Sequence, residues 1–146
     1  MGVALDEARA ALEHDDVPVG AVVARLDSGE IVARRHNERE ATGDPTAHAE
    51  VLALRDAARA LGRWRLDDCA LVVTIEPCPM CAGAALAARI GRVVFGAPDP
   101  KAGACGSLYN LAADPRLNHE PEVIDGVRAG EAAALLADFF ATRRAT

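Results

Sequence analysis

The sequence predicts a single α/β domain spanning residues 1–146, with helices packed closely on a sheet. A chain of 146 residues is the size of one ordinary domain and is long enough to bury a core. Apolar residues make up 51% of the chain but aromatic residues only 3%, so Ala, Val, Leu and Ile must fill the interior. Helix-like and strand-like segments also follow one another along the chain, which is typical of this fold class.

The first third of the chain predicts a helix followed by a hairpin. Residues 3–14 show the apolar spacing of a helix. Residues 19–25 and 30–37 are rich in Val, Ile and Ala and flank a turn that contains Gly29, which predicts two antiparallel strands. The polar segment 38–45 predicts a loop.

A second helix is predicted after this loop, because apolar residues recur there at steps of three and four. These residues are Val51, Leu54, Ala58 and Leu61. We expect Asp44 to cap this helix with Pro45 in its first turn, or Thr46 to cap it instead.

The central segment predicts a strand–helix–strand unit. Residues 69–75 form a continuous apolar run, residues 79–90 are small and helix-like, and residues 91–97 form another apolar run. This order favours two parallel strands joined by a right-handed crossover.

The last third predicts mostly loop, then a strand and a closing helix. Residues 98–121 predict a loop with one helical turn near 108–112, and residues 122–126 a last strand. Residues 131–144 predict an amphipathic helix. Its apolar side is formed by Leu135, Leu136, Phe139 and Phe140.

Charge and cysteine content exclude several classes of protein. A net charge of −6 gives no general attraction to nucleic acid, so any contact with RNA or DNA would have to be local. The longest uncharged stretch, residues 77–88, is shorter than the roughly 20 residues that a membrane span needs. The start of the chain does not resemble an export signal. We therefore expect a cytoplasmic protein without membrane contact, whose four cysteines are reduced and serve a metal or catalysis.

A metal site is predicted from "PCPMC", residues 77–81. Cys78 and Cys81 would face the same way at a helix N-terminus, where the helix dipole favours thiolates. His48 is the natural third ligand, and zinc is the usual metal for two sulfurs and one imidazole.

The count of ligands favours a site with one position left for water. Structural zinc sites normally have four protein ligands, whereas catalytic sites have three. Cys69, Cys105, His36 or His119 could supply a fourth, but none lies in a second paired spacing. Glu50 follows His48 by two residues, and we expect it to carry protons rather than bind the metal. A non-catalytic zinc module with four ligands is the alternative.

The two halves of the motif, "HAE" and "PCPMC", match the signature of zinc nucleobase deaminases, H-x-E followed by P-C-x-x-C. Over nearly the whole chain, from about Val17 to Arg144, the sequence also resembles the bacterial tRNA-specific adenosine deaminases. The stretches that carry this resemblance are "VPVGAV", "HN", "DPTAHAE", "LALR", "EPCPMCAGA", "RIGRVVFGA", "GSL", "LNH" and "ALLADFF".

The resemblance implies a three-layer α-β-α, cytidine deaminase-like fold with a five-stranded mixed sheet, usually a homodimer. It implies zinc-dependent deamination of adenosine to inosine at the wobble position of a tRNA anticodon stem-loop. One Zn²⁺ per subunit would be bound by His48, Cys78 and Cys81, with Glu50 as the proton carrier. Deamination of free guanine, cytosine or cytidine uses the same chemistry and is an alternative function.

The resemblance also implies substrate contacts. Asn37 matches a position that contacts the target nucleoside. Five further positions match residues that line the base pocket or the neighbouring nucleotides: Val17, Ala49, Pro77, Ala97 and Asp99. The chain departs from the family pattern where Pro98 and Pro100 flank Asp99, and in the extra thiol of Cys105. From their charges we expect RNA contacts from Lys101, Arg143 and Arg144.

Overall fold

The computed structural model describes residues 1–144, which form a five-stranded sheet with five α-helices. The strands are β1 (Gly20–Arg25), β2 (Ile31–His36), β3 (Cys69–Ile75), β4 (Arg92–Ala97) and β5 (Glu122–Ile124). The helices are α1 (Gly2–Ala11), α2 (Arg39–Thr42), α3 (Ala49–Leu61), α4 (Pro79–Ala87) and α5 (Ala129–Arg144). Two short 3-10 turns occur at Leu12–His14 and Leu111–Ala113.

The sheet is mixed, as predicted, with the strand order β2-β1-β3-β4-β5. β1 is antiparallel to both β2 and β3, while β3, β4 and β5 are parallel. The predicted hairpin and the predicted parallel pair on either side of α4 are therefore confirmed. Gly29 adopts a φ of +72° in the hairpin turn, a conformation that glycine reaches without strain.

Helices cover both faces of the sheet and give three layers. α3 packs on β1, β2 and β3 and contacts α4, whereas α1 and α5 contact each other and pack on the opposite face. The larger hydrophobic core lies beneath α3 and α4 and includes Leu71, Val73 and Val93. A smaller cluster around Leu5 and Ala132 lies beneath α1 and α5.

Several helix ends differ from the sequence prediction. α1 ends at Ala11 and the chain continues as a 3-10 turn, and the predicted loop 38–45 contains the short helix α2. α4 ends at Ala87, three residues early, and α5 begins at Ala129, two residues early. None of the described helices has the length and apolarity that crossing a bilayer would require.

The predicted cap of α3 is wrong. The helix begins after His48, and neither Asp44 nor Thr46 is its N-cap. The Asp44 carboxylate instead accepts hydrogen bonds from the backbone N–H and the hydroxyl of Thr46. Because the Asp44 carboxylate is bound in this local turn, it does not cap the helix.

We expect Gly20→Ala to destabilise the protein, because the added methyl group would collide with the backbone oxygen of Ala4 in α1. Overpacking of this kind costs about 1–3 kcal/mol. Gly130→Ala is the control, because its methyl group meets no neighbour within 4 Å and Ala favours helix α5. Thermal unfolding should show a lower Tm for the first variant only; equal Tm values would contradict the close packing of α1 on β1.

Candidate metal centre

The candidate site lies at one edge of the sheet, where β3 and β4 end. Since β1 is antiparallel to β3, β1 begins at this edge and β2 ends there. α3 and α4 also begin at this edge, after His48 and Cys78 respectively. Ligand sites in α/β sheets commonly lie beyond the carboxyl ends of the strands.

The three predicted zinc ligands come together at these two helix starts. His48 is the N-cap residue of α3, Cys78 is the N-cap residue of α4, and Cys81 lies in the first turn of α4. Neither N-cap side chain bonds the amides of its own helix. The side-chain oxygen of Asn37 caps α3 instead, because it accepts a hydrogen bond from the backbone N–H of Ala49 at 2.9 Å. The imidazole is therefore not needed as a cap and can bind a metal.

The distances between the ligand atoms fit zinc. His48 Nδ1 lies 3.7 Å from Cys78 Sγ and 3.4 Å from Cys81 Sγ, and the three ligand atoms lie within 4.8 Å of one another. A tetrahedral site with bonds of about 2.3 Å to sulfur and about 2.0 Å to nitrogen separates such atoms by about 3.6 Å. These three side chains could bind zinc with little movement.

The three ligand side chains shift one another's pKa values. The hydrogen bond from the Cys81 thiol outweighs burial and, with the one from His48, lowers the pKa of Cys78 to about 4. The same hydrogen bond to Cys78, together with burial, raises the pKa of Cys81. The hydrogen bond to Cys78 also raises the pKa of His48. Because zinc requires thiolates and a neutral imidazole, binding it would release protons from this cluster.

A fourth protein ligand is absent from the cluster that the described residues form. Burial raises the pKa of Cys69 to about 11 and that of Cys105 to about 12, so both remain neutral thiols. Cys69 begins β3, at the opposite edge of the sheet. His119 bonds the backbone oxygen of Ile90, and His36 bonds Glu7. The arrangement therefore has the three ligands expected of a catalytic zinc site.

Glu50 is a buried acid beside these ligands, with 3% of its surface exposed. It lies in the first turn of α3 and is close enough to His48, Cys78 and Cys81 for all three to influence its titration. Burial raises its pKa, whereas a nearby cation such as zinc would favour the carboxylate. It is not part of the three-residue ligand cluster. A buried carboxyl group that can exist in both forms is suited to proton transfer.

A cavity of about 610 Å³ opens beside the cluster. Several predicted residues line it: Val17, Asn37, His48, Glu50, Cys78, Ala97, Asp99, Lys101 and Arg144. Ala49 and Pro77, which were also expected to line the pocket, are not among the lining residues. The Ala49 N–H donates to Asn37, and the Pro77 oxygen accepts the N–H of Ala104.

The predicted cations differ in their positions. Lys101 and Arg144 line the cavity. Arg143 donates to the carboxylate of Asp15 at 2.8 Å and lies over the ring of Phe139, 4.4 Å from its centre. These contacts bind Arg143 to the surface of the protein itself.

The sequence reading missed several residues of the cavity wall, above all Arg39, Glu76 and Phe140. Arg39 lies on α2, which was expected to be loop, and nothing in the local pattern separates it from other surface arginines. Phe140 was expected to pack with the apolar side of α5, yet it is 44% exposed and faces the cavity. Glu76 directly precedes "PCPMC", and this position next to the metal motif could have identified it as a residue of the site.

Comparisons with known proteins agree with this geometry. The family model for the cytidine and deoxycytidylate deaminase zinc-binding region matches residues 1–97. A tRNA-specific adenosine deaminase of Bacillus subtilis is 49% identical over 140 residues, which are 96% of this chain and 86% of that protein. A solved structure from a study of A-to-I editing by tRNA:A34 deaminases has a TM-score of 0.88 and 45% identity, covering 93% of this chain and 97% of that one.

A longer protein contains a related stretch. A tRNA(Ile)-lysidine synthase of Deinococcus radiodurans is 57% identical over 140 residues, which are 96% of this chain. The chain spans only 24% of the length of that relative.

We expect the purified protein to contain one zinc ion per chain, and Cys78→Ser or Cys81→Ser to lose it, because an oxygen replaces a thiolate ligand. Cys105→Ala is the matched control, since this thiol lies outside the cluster. Elemental analysis gives the zinc content. Loss of zinc from the control to the same extent, or its retention in Cys81→Ser, would contradict the assignment.

Proposed function

Because the chain belongs to the cytidine and deoxycytidylate deaminase zinc-binding family, we propose that it deaminates adenosine to inosine at the wobble position of a tRNA anticodon. Residues 1–146 would act as one zinc-dependent deaminase domain. The observation that carries the proposal is the open three-ligand cluster with a buried carboxyl group beside it and a cavity in front.

His48, Cys78 and Cys81 would hold the zinc, which when bound supplies an acidified water as the nucleophile. Glu50 accepts a proton from water and donates one to the nitrogen that leaves C6 of the base. Its burial favours this role, because burial raises the pKa of Glu50 and so makes the carboxyl group a better proton acceptor than an exposed glutamate.

Asn37 would orient the base. Its side-chain oxygen is bonded to Ala49, so its amide nitrogen is the group that remains to donate a hydrogen bond to the substrate. Val17, Ala97 and Asp99 line the same cavity and would surround the base and its neighbours.

An RNA substrate is favoured over a free base by the cations around the cavity. Arg39, Lys101 and Arg144 approach it from α2, from the loop after β4 and from α5. A free base carries no phosphate for them to bind, whereas an anticodon loop presents phosphates on both sides of the reacting nucleotide. For Arg143, an RNA contact stays a prediction, because its guanidinium is already bound to Asp15.

A second copy of the chain would cover the surface around α4. Large apolar side chains are exposed there or on the adjoining loop: Met80, Leu108 and Tyr109, the last two 53% and 58% exposed. The loop is joined to the start of α4 by the hydrogen bond from Ala104 to Pro77. Exposed apolar patches of this kind are typical of homodimer contacts.

We place the protein in the cytoplasm, where zinc-binding thiols stay reduced.

We expect the protein to deaminate adenosine to inosine in an anticodon stem-loop and to leave free adenosine, guanine, cytosine and cytidine unchanged. Glu50→Gln should lower kcat by at least about 10²-fold while keeping zinc, because the amide cannot transfer a proton. Chromatography measures inosine in the digested RNA and inosine, xanthine, uracil or uridine from the free compounds, and elemental analysis measures zinc. Equal turnover of a free base would support the alternative, and an active Glu50→Gln variant would overturn the proton-transfer role.

The cations near the cavity should make binding sensitive to salt. Each phosphate contact to single-stranded nucleic acid contributes about 0.7 to the slope of log affinity against log salt concentration. The double variant with Lys101→Ala and Arg144→Ala should therefore raise KM for the stem-loop and reduce this slope by about 1.4. Arg65→Ala removes an exposed charge beyond the far end of α3 and is the control. A double variant with unchanged KM and slope would refute these contacts.

A further inference from the structure

Glu76 is a second buried acid near the site, and the chemistry proposed above does not use it. It follows the last residue of β3 and precedes Cys78 by two residues. Only 2% of its surface is exposed, although it belongs to the cavity wall. A charged side chain in this position needs partners that offset the loss of water.

The hydrogen-bond partners of the Glu76 side chain all come from one loop, residues 99–107. Its Oε1 accepts hydrogen bonds from the Asp99 N–H and the Ser107 hydroxyl. Its Oε2 accepts the N–H groups of Cys105 and Ser107, both at 3.0 Å. Both carboxylate oxygens are therefore occupied by hydrogen bonds from this loop, which offset the loss of water.

The loop is shaped around this carboxylate. A Cβ at Gly103 would collide with the carboxyl group of Glu76, so a larger residue there would have to push this carboxylate away from its hydrogen bonds. Asp99 in turn accepts the N–H groups of Lys101 and Ala102 through its Oδ1. Ala104 donates to the Pro77 oxygen and joins the loop to the start of α4.

The same loop carries a wall of the cavity. Its lining residues are Asp99, Pro100, Lys101 and Ala102, preceded by Pro98. The position of Asp99 is fixed directly by its bond to Glu76, and that of Lys101 through Asp99. Glu76 therefore connects the strand that leads into the metal cluster with the surface that faces the substrate.

We propose that Glu76 is a positioning residue that holds the 99–107 loop in the shape that binds the RNA substrate, and does not take part in the proton transfers. This inference rests on the proposed function. The hydrogen bonds involved are charge-assisted, and they are the stronger class of hydrogen bond in proteins. Losing them should release the loop without disturbing His48, Cys78 or Cys81.

Two variants test the proposal at different strengths. Glu76→Gln replaces one acceptor by an NH₂ group that faces the loop N–H groups, and Ser107→Ala removes a single hydrogen bond. We expect Glu76→Gln to raise KM for the anticodon stem-loop by about tenfold or more, with a smaller rise for Ser107→Ala. In both variants kcat should change by less than KM does, and the zinc content should stay at the wild-type level.

Thr74→Val is the control for a general loss of stability. Thr74 is also buried and accepts the Gly20 N–H, but it lies within β3 and away from the 99–107 loop. It should lower Tm while leaving KM unchanged. A matching rise of KM in this control, or a Glu76→Gln variant that loses kcat and keeps KM, would overturn the positioning role.

Hydrogen exchange provides a readout that needs no activity. In Glu76→Gln, the backbone N–H groups of Asp99, Cys105 and Ser107 should exchange faster, with exchange in α3 and α4 unchanged. Unchanged exchange in the loop would refute the inference even with an active enzyme. If the wild type forms no inosine in the stem-loop, the proposed function fails instead, and the exchange result still decides whether Glu76 holds the loop.

Discussion

The metal cluster depends on the use of helix-cap positions for ligands. His48 and Cys78 are the N-cap residues of α3 and α4, where the backbone is still extended and a side chain normally accepts N–H groups of its own helix. Neither does so here. Because α3 and α4 lie side by side and begin at the same edge of the sheet, the two cap side chains meet, and Cys81 completes the set from the first turn of α4.

Most of the buried polar side chains among residues 1–144 bind backbone N–H groups of segments that surround the cavity. The buried polar side chains are Asp16, Asn37, Glu50, Thr74 and Glu76. Asp16 accepts the N–H groups of Glu40 and Ala41 in α2, Asn37 holds the start of α3, and Glu76 holds the loop after β4. Each of these three acceptors is remote in sequence from the segment that it holds, and each segment faces the cavity. The site is therefore built from side-chain bonds to backbone amides on an otherwise apolar α/β core.

Hydrogen-bond acceptors that lie far along the chain from the amides they bind also explain what the sequence could and could not predict. The strands and the parallel pair followed from continuous apolar runs, and the zinc ligands followed from a motif whose spacing is set by one helix turn. The cap of α3 was predicted wrongly and α2 was missed, because Asn37 and Asp16 replace the local caps that a pattern can detect. Glu76 escaped notice for the same reason, since its partners lie 23 to 31 residues away.

The prolines on either side of Asp99 add a consequence for selectivity. Pro98 and Pro100 restrict the backbone of the loop before it folds, and Glu76 then fixes the amide of the residue between them. A surface that is ordered in advance loses little conformational entropy when a well-matched ligand arrives, which favours tight binding. The same stiffness leaves it little capacity for induced fit, so nucleotides of a different shape next to the reacting base would be discriminated against sterically.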